Sequence, residues 1–411
     1  MDMPTSKKDD AGLSAAGGNV GTGSPSSTSR GLLARLPGGG SPIAIVLMAL
    51  IVAAVMVWNN VNPITFFVYD TSHASYAKGT VTQIVDNQLV DEPGTGRHRG
   101  SQDIKVMLHE GKFSGKTVEI QNDLSATHNV EAYVGLDVVV KVDDPGNGVD
   151  PFFSLFNYDR TVGFGAVLLL FAVLMVVVGG MKGLKALAGL LFSLFMILMF
   201  LLPAIYHGLP PILMTVATAV VITVLCMTLL NGFTGKTWAA IGSTTIGVLA
   251  AVAIYLGFSV FLHLNGYVLD QAEELIQIQQ ATGLDVGQML FVGVLVASLG
   301  AVMDMCMSVA TSLFEMKDLN PEMRAAAIFR SGMHIGQDMI GTMCMTLILA
   351  FAGSAIVNLL VMVSYGAQPA QLMSSDYVAI ELVHSFIGGM AVVLSVPITS
   401  ALSAWLLGRK G

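Results

Sequence analysis

Stretches of about twenty apolar residues recur along this chain of 411 residues, and that recurrence leaves few folds open. The first runs from Ile43 to Val61. Others fall at roughly 163–181, 186–205, 211–230, 238–262, 289–313, 335–363 and 382–407. Each approaches the ~20 residues that a helix needs to cross a bilayer. Within lipid every backbone polar group must be satisfied internally, so unbroken apolar runs of this length are helices. Charged residues make up only 12% of the chain, against about a quarter in a soluble domain. The predicted fold is a mostly α, polytopic membrane helical bundle of about eight transmembrane helices, with the lipid bilayer as its first partner.

Residues 62–160 have a different character. KGTVTQIV, DIKVML, KTVEIQ and DVVVKV alternate apolar with polar side chains, the signal of half-buried strands. Between Leu108 and Lys116, Gly111 and Gly115 stand where a hairpin requires positive φ. Asp143–Asp144–Pro145–Gly146 reads as a further turn. The expectation is a small antiparallel β domain, a barrel or OB-like, between the first and second helices. Four regions follow: a disordered cytoplasmic tail at 1–41, rich in Gly, Ser and Ala; an uncleaved signal anchor at 42–61; the β domain at 62–160; and seven helices at 161–411.

Basic residues orient the chain. Of twenty Lys and Arg, eight lie in the β segment. The other twelve (Lys7, Lys8, Arg30, Arg35, Lys182, Lys185, Lys236, Lys317, Arg324, Arg330, Arg409 and Lys410) fall on one side in an eight-span arrangement. The opposing loops carry none. By the positive-inside rule both termini are cytoplasmic and the β domain is extracytoplasmic. The net charge of -8 gives no reason to expect a nucleic-acid partner. The three cysteines all lie in apolar runs, so there is no disulfide framework to read.

Function is expected in the hairpin from Gly287 to Val357. Asp304 lies well inside an apolar run. A carboxylate at the bilayer centre costs about 2.5–3.5 kcal/mol on the mildest scale, so it faces a partner or a wet cavity. Helical spacing puts Asp304, Ser308, Thr311 and Glu315 on one face, continued outward by Gly293, Ala297 and Ala301. His334, Gln337, Asp338, Gly341 and Thr342 share a face of the next helix, opposite a Gly332/Gly336 pair. Glu381, His384, Ser385, Gly388, Ser395 and Thr399 share a face of the last. The three faces together predict one acidic route suited to a cation or a proton. The competing readings are helix capping for Glu315, His334 and Asp338, an interfacial position for Glu381 and His384, and a structural hydrogen bond for Asp304.

No cofactor is predicted. Met303–Met307 (MDMCM) and Met343–Met345 (MCM) offer soft ligands for copper, and His334 with Asp338 offers a pair for a divalent metal, but gap-filling methionine explains the first equally. GKFSGKT and GFTGKT lack the earlier Gly of a phosphate loop, and no H-E-x-x-H or G-x-S-x-G occurs. No nucleophile–base pair at workable depth supports an intramembrane enzyme. The loop Tyr267–Gln288 is either an amphipathic surface helix or a solvated connector.

SLGAVMDMCMSVATSLFEMKDLNPE, SGMHIGQDMIGTMCMTLILAFAGS, GKFSGKTVEIQNDLS and ELVHSFIGGMAVVLSVPITS resemble the YibE/F family of bacterial multi-pass membrane proteins. Asp304, Asp338 and Gly341–Thr342 match as they stand. The resemblance implies a bacterial plasma-membrane protein with a soluble outer domain and assigns no activity. Two functions therefore compete. One is a transporter or channel-like protein for a cation or a proton-coupled small solute. The other is a membrane-anchored scaffold or sensor whose outer β domain binds a ligand or partner. A homo-oligomer or a partner membrane protein fits either.

Overall fold

The computed structural model describes residues 40–64, 73–146, 148–264, 267 and 271–409. Residues 1–39 of the expected disordered tail, with its four basic residues, lie outside them, as does Lys410, while Gly40 and Ser41 belong to the first helix. The first helix, α1, is Gly40–Val61. Five strands follow: β1 Ala74–Glu92, β2 Arg97–Leu108, β3 Thr117–Leu124, β4 Asp137–Asp143 and β5 Phe152–Tyr158. They form one sheet of order β3-β2-β1-β4-β5 in which every neighbour is antiparallel. The sheet curls until β3 approaches β5.

Alternation explains the strands. In β3 the side chains are exposed and buried by strict turns, so Val118, Ile120, Asn122 and Leu124 point inward. Ile104, Val106, Leu108, Val138, Val140 and Val142 meet them in a core of the sheet's own. The β2–β3 turn has Gly111 at φ 81° and Gly115 at φ 79°, as its hairpin requires. Strand β5, FFSLFNY, has no alternation to read and is an addition to the sequence-based expectation. Lys78 of β1 ties the sheet's end to the next helix, pairing with Asp159 at 3.2 Å and donating to Thr161 at 2.9 Å.

The remainder is helical. α2 is Thr161–Phe195; it continues through a π-helical turn at Met196–Leu201 into α3, Leu202–Tyr206. Then come α4 Pro211–Asn231, α5 Gly235–Leu262, α6 Ala272–Thr282, α7 Met289–Leu319, α8 Ala325–Ser364, α9 Pro369–Met373 and α10 Asp376–Gly408. Among the described residues seven helical stretches are long and apolar enough to cross a membrane. One of them, Thr161–Tyr206, is broken: Gly180 has φ 56° and ψ -137°, outside the helical range. Beyond it a Cβ on Gly183 would collide with the Met175 carbonyl. In a straight helix residues eight apart are ~12 Å apart along the axis, so the chain doubles back at Gly180.

α5, α7, α8 and α10 form the packed centre. The Gly332/Gly336 pair works as close-packing residues do. Gly332 lies against Ser400 and Leu313, and Gly336 against Val396. Within the hairpin from Gly287 to Val357, the charged sequence MKDLNPEMRAAAIFR at 316–330 reads as the turn between the two helices, and the turn itself is shorter than that sequence. α7 runs on to Leu319 and α8 starts at Ala325, because the AAAIF segment is good helix former next to an apolar neighbour. The 267–288 connector does contain a helix, α6, whose Leu275 and Ile278 pack on Leu201, Ile205 and Val292.

Candidate functional site

Asp304 is the midpoint of the 31-residue α7, ~22 Å from either end. It is exposed, as are Gly293, Ala297 and Gly300 on the same face. No hydrogen bond or ion pair holds it among the described residues. Ser308 and Thr311, below it, are half-buried. Glu315 is exposed and 4.0 Å from Lys236 at the start of α5. Lys236 is a partner that sequence spacing alone does not reveal, because it comes from a distant helix.

Glycine contacts set the register of α8 against α7. Gly388 of α10 lies between Ser298 and Leu347, and Gly332 lies against Leu313. The two pairs agree on one antiparallel register, which puts Asp304 level with Gly341 and Thr342. It puts Asp338 level with Met307 and His334 level with Thr311. Neither His334 nor Asp338 is at a helix end, since α8 begins well before them. Both are exposed, as are Gly341 and Thr342. Thr342 donates to the Met339 carbonyl at 2.9 Å. His334 lines a shallow pocket with Phe329, Arg330 and Gln337 of α8 and Ala401 and Ala404 of α10.

The polar face of α10 divides in two. Glu381 and His384, one turn apart, are half-buried where α7, α8 and α10 meet. Glu381 lines a cavity of about 130 Å³ with Ala352, Ala355 and Tyr377. His384 lies beside Gly293 of α7 and 5.6 Å from the Phe351 ring of α8. Glu381 Oε2 and His384 Nε2 are buried and have no hydrogen-bond partner among the described residues. Further along, Ser395 and Thr399 are fully buried and donate to the carbonyls of Val392 and Ser395 at 2.6 and 2.7 Å. With Thr244 they surround Cys306, itself fully buried. Below His384 that face is buried: the Ser395 and Thr399 hydroxyls turn onto their own helix where α5, α7 and α10 pack together.

The structure thus spaces its polar stations along α7. His384 is level with Gly293, Asp304 follows after eleven residues, and Glu315 after eleven more. Each interval is ~16 Å. Among the described residues no three His, Cys, Asp or Glu side chains are grouped to hold a metal. Met305 and Cys306 are fully buried in the apolar core, while Met303, Met307, Met343 and Cys344 pack at its edge. In the sheet, Gln102 and Asn122 form a buried amide clasp that sequence reading missed. Asn122 donates to the Gln102 side chain at 3.3 Å and to the Val130 carbonyl at 2.8 Å; Gln102 accepts from the Ala132 amide at 2.9 Å.

Seven helices long and apolar enough to cross a membrane and a separate curled sheet of five antiparallel strands, among the described residues, define a mostly helical protein with an inserted β domain. The chain belongs to the family of YibE/F-like proteins, whose match spans residues 167–409. No curated protein and no solved structure matches it.

Proposed function

We propose that this protein is a membrane transporter or channel-like protein for a cation, or for a small solute coupled to protons. One observation carries the reading: the exposed Asp304 at the centre of an apolar helix, with no hydrogen bond or ion pair among the described residues. Such a group is stable in a membrane only with water, a cation or another polar surface beside it. The route in this reading follows α7 and α8, not the lower half of α10. Glu381 and His384 form one end, Asp304 the middle with Asp338, Ser308 and Thr342 at neighbouring depth, and Thr311, His334 and Glu315 the other end. A second copy or a partner membrane protein closes the exposed side.

The topology belongs to the same proposal. At 46 residues, Thr161–Tyr206 measures ~69 Å as helix, against ~30 Å of hydrocarbon. With the break at Gly180 it crosses twice, making eight crossings. Both termini are then cytoplasmic in a bacterial plasma membrane, and the OB-like sheet is outside.

Flux in proteoliposomes tests the reading. Asp304→Asn removes the charge at nearly constant shape and is expected to abolish cation-driven or proton-driven flux. Unchanged flux at every pH would remove Asp304 from the mechanism. The rival scaffold or sensor reading draws support from β1, whose residues beyond Thr80 pair with β2 alone and carry on past β4 as a ribbon. In that reading, deleting residues 74–143 abolishes function while Asp304→Asn is tolerated.

A further inference from the structure

A groove runs between α2, α4 and α7, and of the face of α7 that carries Asp304 it shares Gly300. Its volume is about 370 Å³. Along α2 and its π-helical turn it extends from Ala186 to Leu201, fifteen residues or ~22 Å. A groove of that length, open along one side, suits an extended chain. One leaflet of a bilayer offers ~15 Å of hydrocarbon depth, so the groove is long enough to hold such a chain throughout it.

The lining decides the chemistry of the occupant. Most of it is Leu, Ile, Val, Ala, Gly and Met. Its hydroxyls face away from any guest. Ser193 donates to the Gly189 carbonyl at 2.8 Å, Thr215 to Pro211 at 2.6 Å and Thr218 to Met214 at 2.8 Å. The Cys226 thiol donates to the Gly189 carbonyl at 3.5 Å. A polar solute finds no free donor here and would leave its own groups unpaired. The π-helical turn at Met196–Leu201 shapes the upper half of the wall, and such turns are frequent at binding sites.

Charge decides the rest. Lys182 is one turn before Ala186 on the same face of α2, and Lys185 one turn before Gly189. The rim beyond the same end of the groove carries Phe233 and Trp238, exposed and in ring contact, as aromatic residues at a membrane interface are. Apolar groove, interfacial aromatics and paired cations are the three parts of a phospholipid site read from tail to headgroup. We propose that this groove holds one acyl chain of a membrane phospholipid whose phosphate rests against Lys182 and Lys185. The chain lies along Leu299, Gly300 and Met303 of α7, so its occupancy bears on the helix that carries Asp304. The inference rests on the membrane placement of the helices but not on transport.

Photo-crosslinking tests it. Full-length protein is reconstituted in nanodiscs of phosphatidylglycerol with a diazirine in its acyl chain, and the labelled peptides are mapped. Label is expected to concentrate on residues 186–201, 215–230 and 295–303. Gly300 has open space where a Cβ would go, so Gly300→Leu should fill the groove without displacing a neighbour and remove that label. Lys182→Gln with Lys185→Gln, outside the packed core, should weaken retention of lipid through detergent washing, read by native mass spectrometry. Label spread equally over the exposed arm at 162–178, or unaltered in Gly300→Leu protein that elutes and melts as wild type, would overturn the proposal. Should Gly300→Leu fail to fold, the lysine pair decides: lipid retained as in wild type sinks the headgroup site. Either failure is separable from failure of the transport reading, which is read by flux with Asp304→Asn.

Discussion

At the scale of single residues, electrostatics outside the helices are the most readily tested. His98 in β2 stands between two carboxylates, with Nε2 2.8 Å from Asp91 and Nδ1 2.9 Å from Glu131. Both ring nitrogens can donate only in the imidazolium. The hydrogen bond to Glu131, then its charge, holds the His98 pKa above the ordinary histidine value. A pKa raised by folding contributes stability below the unfolded value, ~6.5, and that contribution is lost as pH rises through the folded value. The contact between β2 and the segment around Glu131 is thus expected to loosen on the alkaline side. Imidazole resonances followed by NMR should titrate above the ordinary value, and Glu131→Gln should bring the midpoint down. A midpoint that Glu131→Gln leaves in place would discard the clasp. Asp159 is the opposite case: bonds from the Thr161 hydroxyl and amide, with Lys78 nearby, hold its carboxyl below the usual range.

At the scale of elements, the α8–α10 crossing shows how little side chain a tight helix contact tolerates. A Cβ on Gly336 would run into Val396, whereas Gly341, on the other face of α8, has open space. Gly336→Leu should therefore destabilise the protein by about 1–3 kcal/mol or more through overpacking. Gly341→Leu should not, since replacing Gly by a better helix former is mildly favourable. Thermal melts in detergent check the pair; equal melting temperatures would mean that α8 does not pack on α10 by this face. Spacing alone puts the two glycines on different faces of α8, but only the position of α10 shows that the face of Gly336 is the packed one.

At the scale of the whole molecule, the question is how many times the chain crosses. If Thr161–Tyr206 crosses twice, a cysteine in the sheet and one after α3 lie on the same side; if once, on opposite sides. In a chain with Cys226, Cys306 and Cys344 replaced, Glu110→Cys and Leu209→Cys should both react with an impermeant maleimide added to intact cells. Reaction of only one would require a single crossing and undo the charge asymmetry of the loops. Much of this architecture was legible in the chain itself. Long apolar runs dictate helices, because unsatisfied peptide groups are not tolerated in hydrocarbon, and the alternation of β3 dictates which of its faces is buried. The central place of Asp304 in its helix was equally legible, since a residue so far from either end stays near the middle however the ends are drawn. Strand β5, the early start of α8 and the burial of Ser395 and Thr399 were not. Each depends on a neighbour outside its own stretch: β4 for β5, α10 for α8, and α5 with α7 for the two hydroxyls. Periodicity assigns a side chain to a face of its own helix, but whether that face meets lipid, water or another helix is decided only when the helices pack, and so the chain alone determined which residues are polar while the tertiary structure decided which of them remain open.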